Sequence, residues 1–141
     1  VASVVYDSFL ADVFSGAANT SHSYKALLTT SSYTEDRGAH SKRSSITNEV
    51  SGTGYTAGGT AVTLSASLNT TTHKLTLTIG AATWSSSTIT ARKLVVFRAR
   101  GGASSADELV CCVDNGTDLV SSSSTMQWNS STWEIPLPAP V

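Results

Sequence analysis

Two adjoining stretches of the chain alternate apolar and polar residues with a period of two. In "AVTLSASL", residues 61–68, Val62, Leu64, Ala66 and Leu68 fall on one side. In "HKLTLTIG", residues 73–80, Leu75, Leu77 and Ile79 point one way and Thr76 and Thr78 the other, with "NTTT" between the two stretches. That period marks half-buried strands, and the pair predicts an antiparallel hairpin with one wet face. "ARKLVVFRAR", 91–100, has a continuous apolar middle flanked by arginines, which predicts a central strand buried on both faces. "SHSYKALLTT", 21–30, predicts a strand centred on Tyr24 to Thr29, and "ELVCCVD", "STMQWN" and "TWEIPLP" predict three more. "TWSSSTIT", 83–90, reads as a serine-rich connector with at most a short strand. Asn-Gly within "DNGTD", 114–118, reads as a hairpin turn.

One stretch has helical spacing. In "SVVYDSFLADVFS", 3–15, Tyr6, Phe9, Leu10, Val13 and Phe14 recur three and four residues apart, so they are expected to share a face. Ser3 is the expected cap and Gly16 the stop. So short a helix is marginal alone and must pack on its own sheet or on a neighbour. The sum is one short helix and about seven strands. The expected fold is mainly β, an antiparallel β-sandwich or partly open barrel with one short N-terminal helix. It forms a single β-rich domain over 1–141, with a helical segment over 1–16. Pro136, Pro138 and Pro140 cannot donate to a ladder, so residues 134–141 are expected as an extended arm that can be removed without unfolding the domain.

Composition narrows the function. The chain has 141 residues, enough to bury a core without metal or disulfide staples. Nine basic and ten acidic residues leave no strongly basic face, which argues against nucleic acid as a partner. Serine and threonine supply close to a third of the residues and suit strand faces and turns. The opening "VASVVYDSFLADVF" has no basic start and the apolar runs are short, so neither a leader nor a membrane span is expected. Adjacent Cys111 and Cys112 would point to opposite faces of a strand, which predicts free, apolar thiols in a reducing compartment.

No motif brings a chemistry with it. "NEVSGTGYTAGGTAV", 48–62, holds four glycines, but no lysine lies in it and a strand pattern follows, so it is a wide turn with close backbone contacts and not a phosphate loop. His22, His40 and His73 are not spaced as a metal set, and "DNGTD" lacks the remaining positions of a calcium loop. No G-x-S-x-G elbow occurs. Glu35, Asp36, Glu49, Asp107 and Glu108 are the only candidates for a carboxylate pair and read as solvated loop charges. The Asn-x-Ser/Thr triplets at Asn19, Asn69, Asn115 and Asn129 are expected by chance in so hydroxyl-rich a chain. No catalytic residue, cofactor or metal is expected.

Four segments together resemble a family: "YDSFLADVFSG", "YKALLTTSSYTEDRGAH", "ITNEVSGTGYTAGGTAV" and "TWSSSTITARKLVVFRA". In this order, over residues 6 to about 128, the chain resembles small virion structural proteins of tailed bacteriophages. The glycine stretch and the Thr-Ala-Arg segment are the most specific parts. Glu35 stands where the family has proline after "SSYT", and the last dozen residues have no counterpart. The resemblance implies a virion protein without enzymatic activity, made in the host cytoplasm. A capsid decoration, or cement, protein on the outer capsid surface is the expected role, with the major capsid protein and neighbouring copies of itself as partners and homo-oligomers left open. A tail or head–tail connector part and a virion-borne carbohydrate-binding module are the alternatives. Contact candidates are Tyr6, Phe9 and Val13 on the helix and Tyr33, Glu35, Asp36 and Arg37 in the polar excursion at 31–46. Tyr55 and Trp133 are candidate anchors, with Trp128 beside them, and Pro136, Pro138 and Pro140 lie in the tail. Each anchor could equally be a core residue.

Overall fold

A computed structural model describes residues 3–139. Two antiparallel sheets and one short helix make up the domain. Strands β1 (Val4–Val5), β2 (Tyr24–Thr29), β3 (Thr60–Val62), β6 (Ala82–Arg98) and β7 (Leu109–Trp128) form a five-stranded sheet in the order β1-β7-β6-β2-β3. Strands β4 (Leu64–Asn69), β5 (Lys74–Ile79) and β8 (Ser131–Pro136) form a three-stranded sheet in the order β4-β5-β8. The mainly β fold and its two antiparallel sheets agree with the sequence reading.

The apolar alternation fixes which faces meet. Ala26, Leu28, Leu94, Val96 and Val110 of the large sheet pack on Leu64, Leu77 and Ile79 of the small one, with Trp84, Met126 and Trp128 in the same cluster. The opposite face of the large sheet is also apolar: Leu27, Val95, Phe97, Leu109 and Cys112 pack there beneath Tyr6 and Tyr33. That is why "LVVF" carries no polar interruption. Cys111 and Cys112 belong to the two different clusters and both are free. The alternation slips by one residue opposite Val96–Phe97. There Val96 pairs with Cys111 and Phe97 with Leu109, a bulge that sends Val110 and Cys111 to the same side.

Five readings of local structure are corrected. The single strand expected over 61–68 is broken at Thr63: Val62 ends β3 and pairs with Tyr24 of β2 in the large sheet, and only Leu64–Asn69 pairs with β5. The helix α1 runs only from Ser8 to Ser15, with Asp7 at its N-cap position, while Val4 and Val5 form β1 against Cys112 and Cys111. Gly16 does end it, at φ 82°. The serine-rich 83–90 is part of β6, paired with β7 at Thr83, Trp84, Ser87, Ile89 and Thr90 with irregularities on either side of Ser87. Asn115-Gly116 makes no hairpin: β7 continues through it, and between the pairs Ala91↔Leu119 and Lys93↔Asp114 β7 advances five residues against two in β6. Gly116 takes φ 84° in this irregularity, and its N–H donates to Asp114 Oδ1 at 2.8 Å. Finally, Glu134, Ile135 and Pro136 belong to β8, opposite Thr76, Leu75 and Lys74, and Leu137 N–H donates to the His73 carbonyl. Removing 134–141 would therefore take half of β8. Pro140 lies outside the described residues.

The glycine stretch fits between strands. A Cβ on Gly59 would sit 1.8 Å from the Ala26 carbonyl oxygen, and one on Gly54 2.7 Å from Ser87 Cα. Both take positive φ, so glycine is required twice over at each position. Between them Tyr55 reaches back to the sheet: its ring lies 5.9 Å from that of Trp84, and its hydroxyl accepts from Leu28 N–H and donates to Glu49 Oε1.

Candidate interaction surface

Helix α1 is tied down by one side chain. Phe9 is buried and meets the ring of Trp133 edge-on at 6.2 Å. The remaining apolar residues do not follow it inward. Leu10 and Val13 are exposed, and Phe14 is 91% exposed, the most open large apolar side chain among the described residues. Leu10, Val13 and Phe14 stand at i, i+3 and i+4, so they form one continuous outward stripe. Beside the stripe runs a groove of about 430 Å³ between the start of α1 and β8, lined by Val5, Tyr6, Asp7, Leu10, Arg37, Trp133, Glu134, Ile135 and Pro136. Leu10 belongs to both stripe and groove. Trp133 Nε1 is buried without a hydrogen-bond partner.

The groove's rim is polar and built from the excursion at 31–46. Arg37 Nε donates to Asp7 Oδ1 at 2.7 Å, and Asp7 N–H donates to the Arg37 carbonyl. Asp36 Oδ1 accepts from the N–H groups of Ala39 and Gly38, and these two bonds hold its carboxyl below the usual range. Further in, the excursion covers the second face of the large sheet. The Tyr33 hydroxyl lies 2.7 Å from that of Tyr6 and 2.9 Å from His40 Nδ1. Lys93, buried on β6, pairs with Glu35 and donates to the Tyr33 carbonyl at 2.7 Å, with Asp114 at 3.9 Å. Burial pushes the Tyr33 phenol up to about 12 and raises that of Tyr6 as well. The excursion is thus neither a solvated loop nor wholly a surface. It is a strap pinned by Tyr33 and Glu35, with Asp36 and Arg37 left outside.

The contact candidates therefore divide. Tyr6, Phe9 and Tyr33 are fully buried and are corrected to core residues; for Trp128, left open between anchor and core, the structure gives the core. Glu35 is corrected to the partner of a buried lysine, its side chain only 7% exposed. Tyr55 is half-buried and held by Glu49 and Trp84. Trp133 is half-buried, and Val13, Asp36, Arg37, Pro136 and Pro138 are exposed. The groove brings Tyr6, Arg37, Trp133 and Pro136 together, from three separate segments. The helical spacing places Leu10 and Phe14 on one face with Phe9, and the structure separates them, with Phe9 buried and the other two exposed. At about 100° per residue, Phe14 stands about 140° from Phe9, wider than one buried stripe on a single-turn contact. That arc was the available signal.

The other carboxylates have local partners. Glu49 accepts from Tyr55 and from Gly58 N–H, and Asp107 pairs with Arg43 at 2.8 Å. Burial alone would raise the Glu108 carboxyl, but Arg100, bonded through Nε at 2.7 Å, and Lys42 hold it below its usual range. Glu35, Asp36 and Glu49 share no hydrogen bond. Among the described residues no group of three His, Cys, Asp or Glu side chains is arranged to hold a metal ion, and no helix is long and apolar enough to cross a membrane.

Comparison with family models, with curated proteins and with solved structures finds no match.

Proposed function

We propose that this chain is a structural protein of a tailed-phage virion, and that it works as a capsid decoration protein bound to the outer surface of the shell. One observation carries the reading: the β domain presents an unpartnered apolar stripe, Leu10–Val13–Phe14, beside a groove edged by Arg37 and Asp7. Exposed apolar side chains grouped in this way mark interaction sites more often than scattered ones do. An aromatic at the centre of such a patch is the usual holder of contact energy. The resemblance of residues 6 to about 128 to virion structural proteins points to the same use.

The mechanism is mass action. A subunit that binds only the assembled lattice stabilises that lattice by its own binding free energy. Copies repeated by the symmetry of the shell let modest contacts add up. Chemistry at the site is limited to burial of apolar surface and pairing at the rim.

Co-sedimentation with shells of the cognate major capsid protein tests this. The wild-type chain is expected to pellet with shells, and Phe14→Asp to weaken attachment by about thirtyfold, as expected for losing about 2 kcal/mol at a contact centre. Because Phe14 touches little of its own domain, the variant should stay folded. A wild-type chain that never pellets with shells, or a Phe14→Asp chain that pellets equally well, overturns the reading. Copy number in purified particles separates a shell protein, in hundreds of copies, from a tail or connector part.

A further inference from the structure

The three-stranded sheet ends in two outer edges, and they are built differently. The β8 edge is blunted, since Pro136 closes the strand and Pro138 follows it. The β4 edge, Leu64–Asn69, carries no charge and no proline, and its register with β5 runs without a bulge. Edges are ordinarily guarded by one of those devices, because an unguarded row of N–H and C=O groups templates another strand.

The ladder fixes which β4 groups face outward. Gly80 N–H donates to the Thr63 carbonyl at 2.9 Å, and the register continues as Leu64↔Ile79 and Ser65↔Thr78. Bonded and non-bonded pairs alternate along an antiparallel ladder. Ser65 and Ser67 therefore spend their backbone groups on β5, while Leu64, Ala66 and Leu68 direct theirs away from it. Among the described residues, no further strand or bridge pairs with that outer side.

The five residues Leu64-Ser65-Ala66-Ser67-Leu68 read the same in both directions. Two antiparallel copies related by a twofold axis at Ala66 place Leu64 opposite Leu68 of the second copy, Ser65 opposite Ser67, and Ala66 opposite Ala66. The centre of the palindrome falls on an outward-facing residue. The register that matches like side chains is thus also one that matches donors with acceptors, giving about six interchain bonds. Leu68 gains most. It lies on the same side of β4 as buried Leu64 yet is 55% exposed, and this pairing sets it beside Leu64 of the second copy, at the rim of the core. Alanine at the axis leaves room for both chains, and no like charges meet.

We propose that β4 is a self-pairing edge, through which two copies of this chain join into one six-stranded antiparallel sheet. The occupant is a second copy because the edge is complementary to itself, as a twofold interface must be. The pairing does not rest on the virion reading, and its test uses the isolated chain, so either can fail without the other.

Sedimentation equilibrium over a range of concentrations tests it. The wild-type chain is expected to dimerise. Ala66→Pro removes an N–H that points away from β5, a place where an edge strand tolerates proline. It is expected to raise the dimer dissociation constant about thirtyfold, or to abolish the dimer, with an unchanged circular dichroism spectrum. If proline unfolds the sheet, Ala66→Lys sets two like charges face to face across the axis and is expected to give the same loss. Ala66→Cys is expected to form an interchain disulfide under mild oxidation, since bonded antiparallel pairs stand about 5.5 Å apart between Cα atoms, within disulfide reach. A wild-type chain that stays monomeric throughout, a folded Ala66→Pro or Ala66→Lys chain that dimerises as well as wild type, or an Ala66→Cys chain that resists cross-linking overturns the proposal.

Discussion

Strands β2 and β4 have six residues each, yet five are buried in β2 and only Leu64 is buried in β4. The contrast extends to the sheets that hold them. The large sheet carries a core on both faces, one shared with the small sheet and one closed by Tyr6, Tyr33 and the strap. The small sheet covers the core with one face and gives the other to water, with threonine and serine on that side. A region buried on both faces opens only with the whole fold, whereas a one-faced sheet edge opens locally at lower cost. The large sheet is therefore the scaffold. The surfaces free to meet another molecule, the stripe of α1 and the edge of β4, lie outside it.

Substitutions should register this division as a graded series. The largest effect is expected at Phe97, buried beneath the strap, where Phe97→Ala should cost about 3–5 kcal/mol in chemical denaturation. A small loss there would mean that the second face is not a true core. Next is Glu35→Ala, which strips buried Lys93 of its nearest counter-charge. The expected cost is about 3 kcal/mol, reduced if Asp114 at 3.9 Å takes over the pairing. If the double variant Glu35→Leu with Lys93→Met is as stable as wild type, the pair serves specificity more than stability.

The strap should also give way at alkaline pH. Tyr33 has an ordinary pKa of 10.0 and is pushed up to about 12 in the fold, first by burial. A raised pKa means that the folded state holds the proton more tightly. Its contribution to stability is complete below pH 10.0 and fades as pH rises toward about 12. Denaturation midpoints should fall over that window, and Tyr33→Phe should lessen the fall, the rest coming from Tyr6, Tyr55 and the two buried thiols, which burial also raises. A midpoint independent of pH across it would contradict the buried phenol. The smallest effect is expected at the small sheet's edge. Leu68→Ala, measured at dilution where the chain is monomeric, should change stability by no more than about 0.5 kcal/mol. A larger cost would place Leu68 in the monomer's own core.

The same contrast explains what could be read from residues alone. Strand β2, the β4–β5 hairpin and the middle of β6 were legible because their apolar periods are unbroken and their partners lie nearby or bury both faces. The serine run 85–87 was not. Serine has little strand preference of its own, and here pairing with β7 overrides it. Ser87 is buried with its hydroxyl 2.8 Å from that of Ser121, while Trp84 and Ile89 fix the register from either side. The Asn-Gly pair misled for a related reason. Its preference for positive φ is met, but in an irregularity within a long ladder and not at a turn. At the candidate surface, the residue types were legible and their directions were not. Tyr33 and Glu35 turn inward because Tyr6 and Lys93, distant in sequence, wait there as partners.

The proposal that this chain acts by lying on a phage shell of other subunits is tested most directly by cryo-electron reconstruction of phage particles purified from cells that make the chain. The predicted result is density for the domain in many symmetry-related copies on the outer shell, with Leu10, Val13 and Phe14 against the capsid subunit. Particles that lack the chain, or copies whose helix stripe faces solvent, would contradict it.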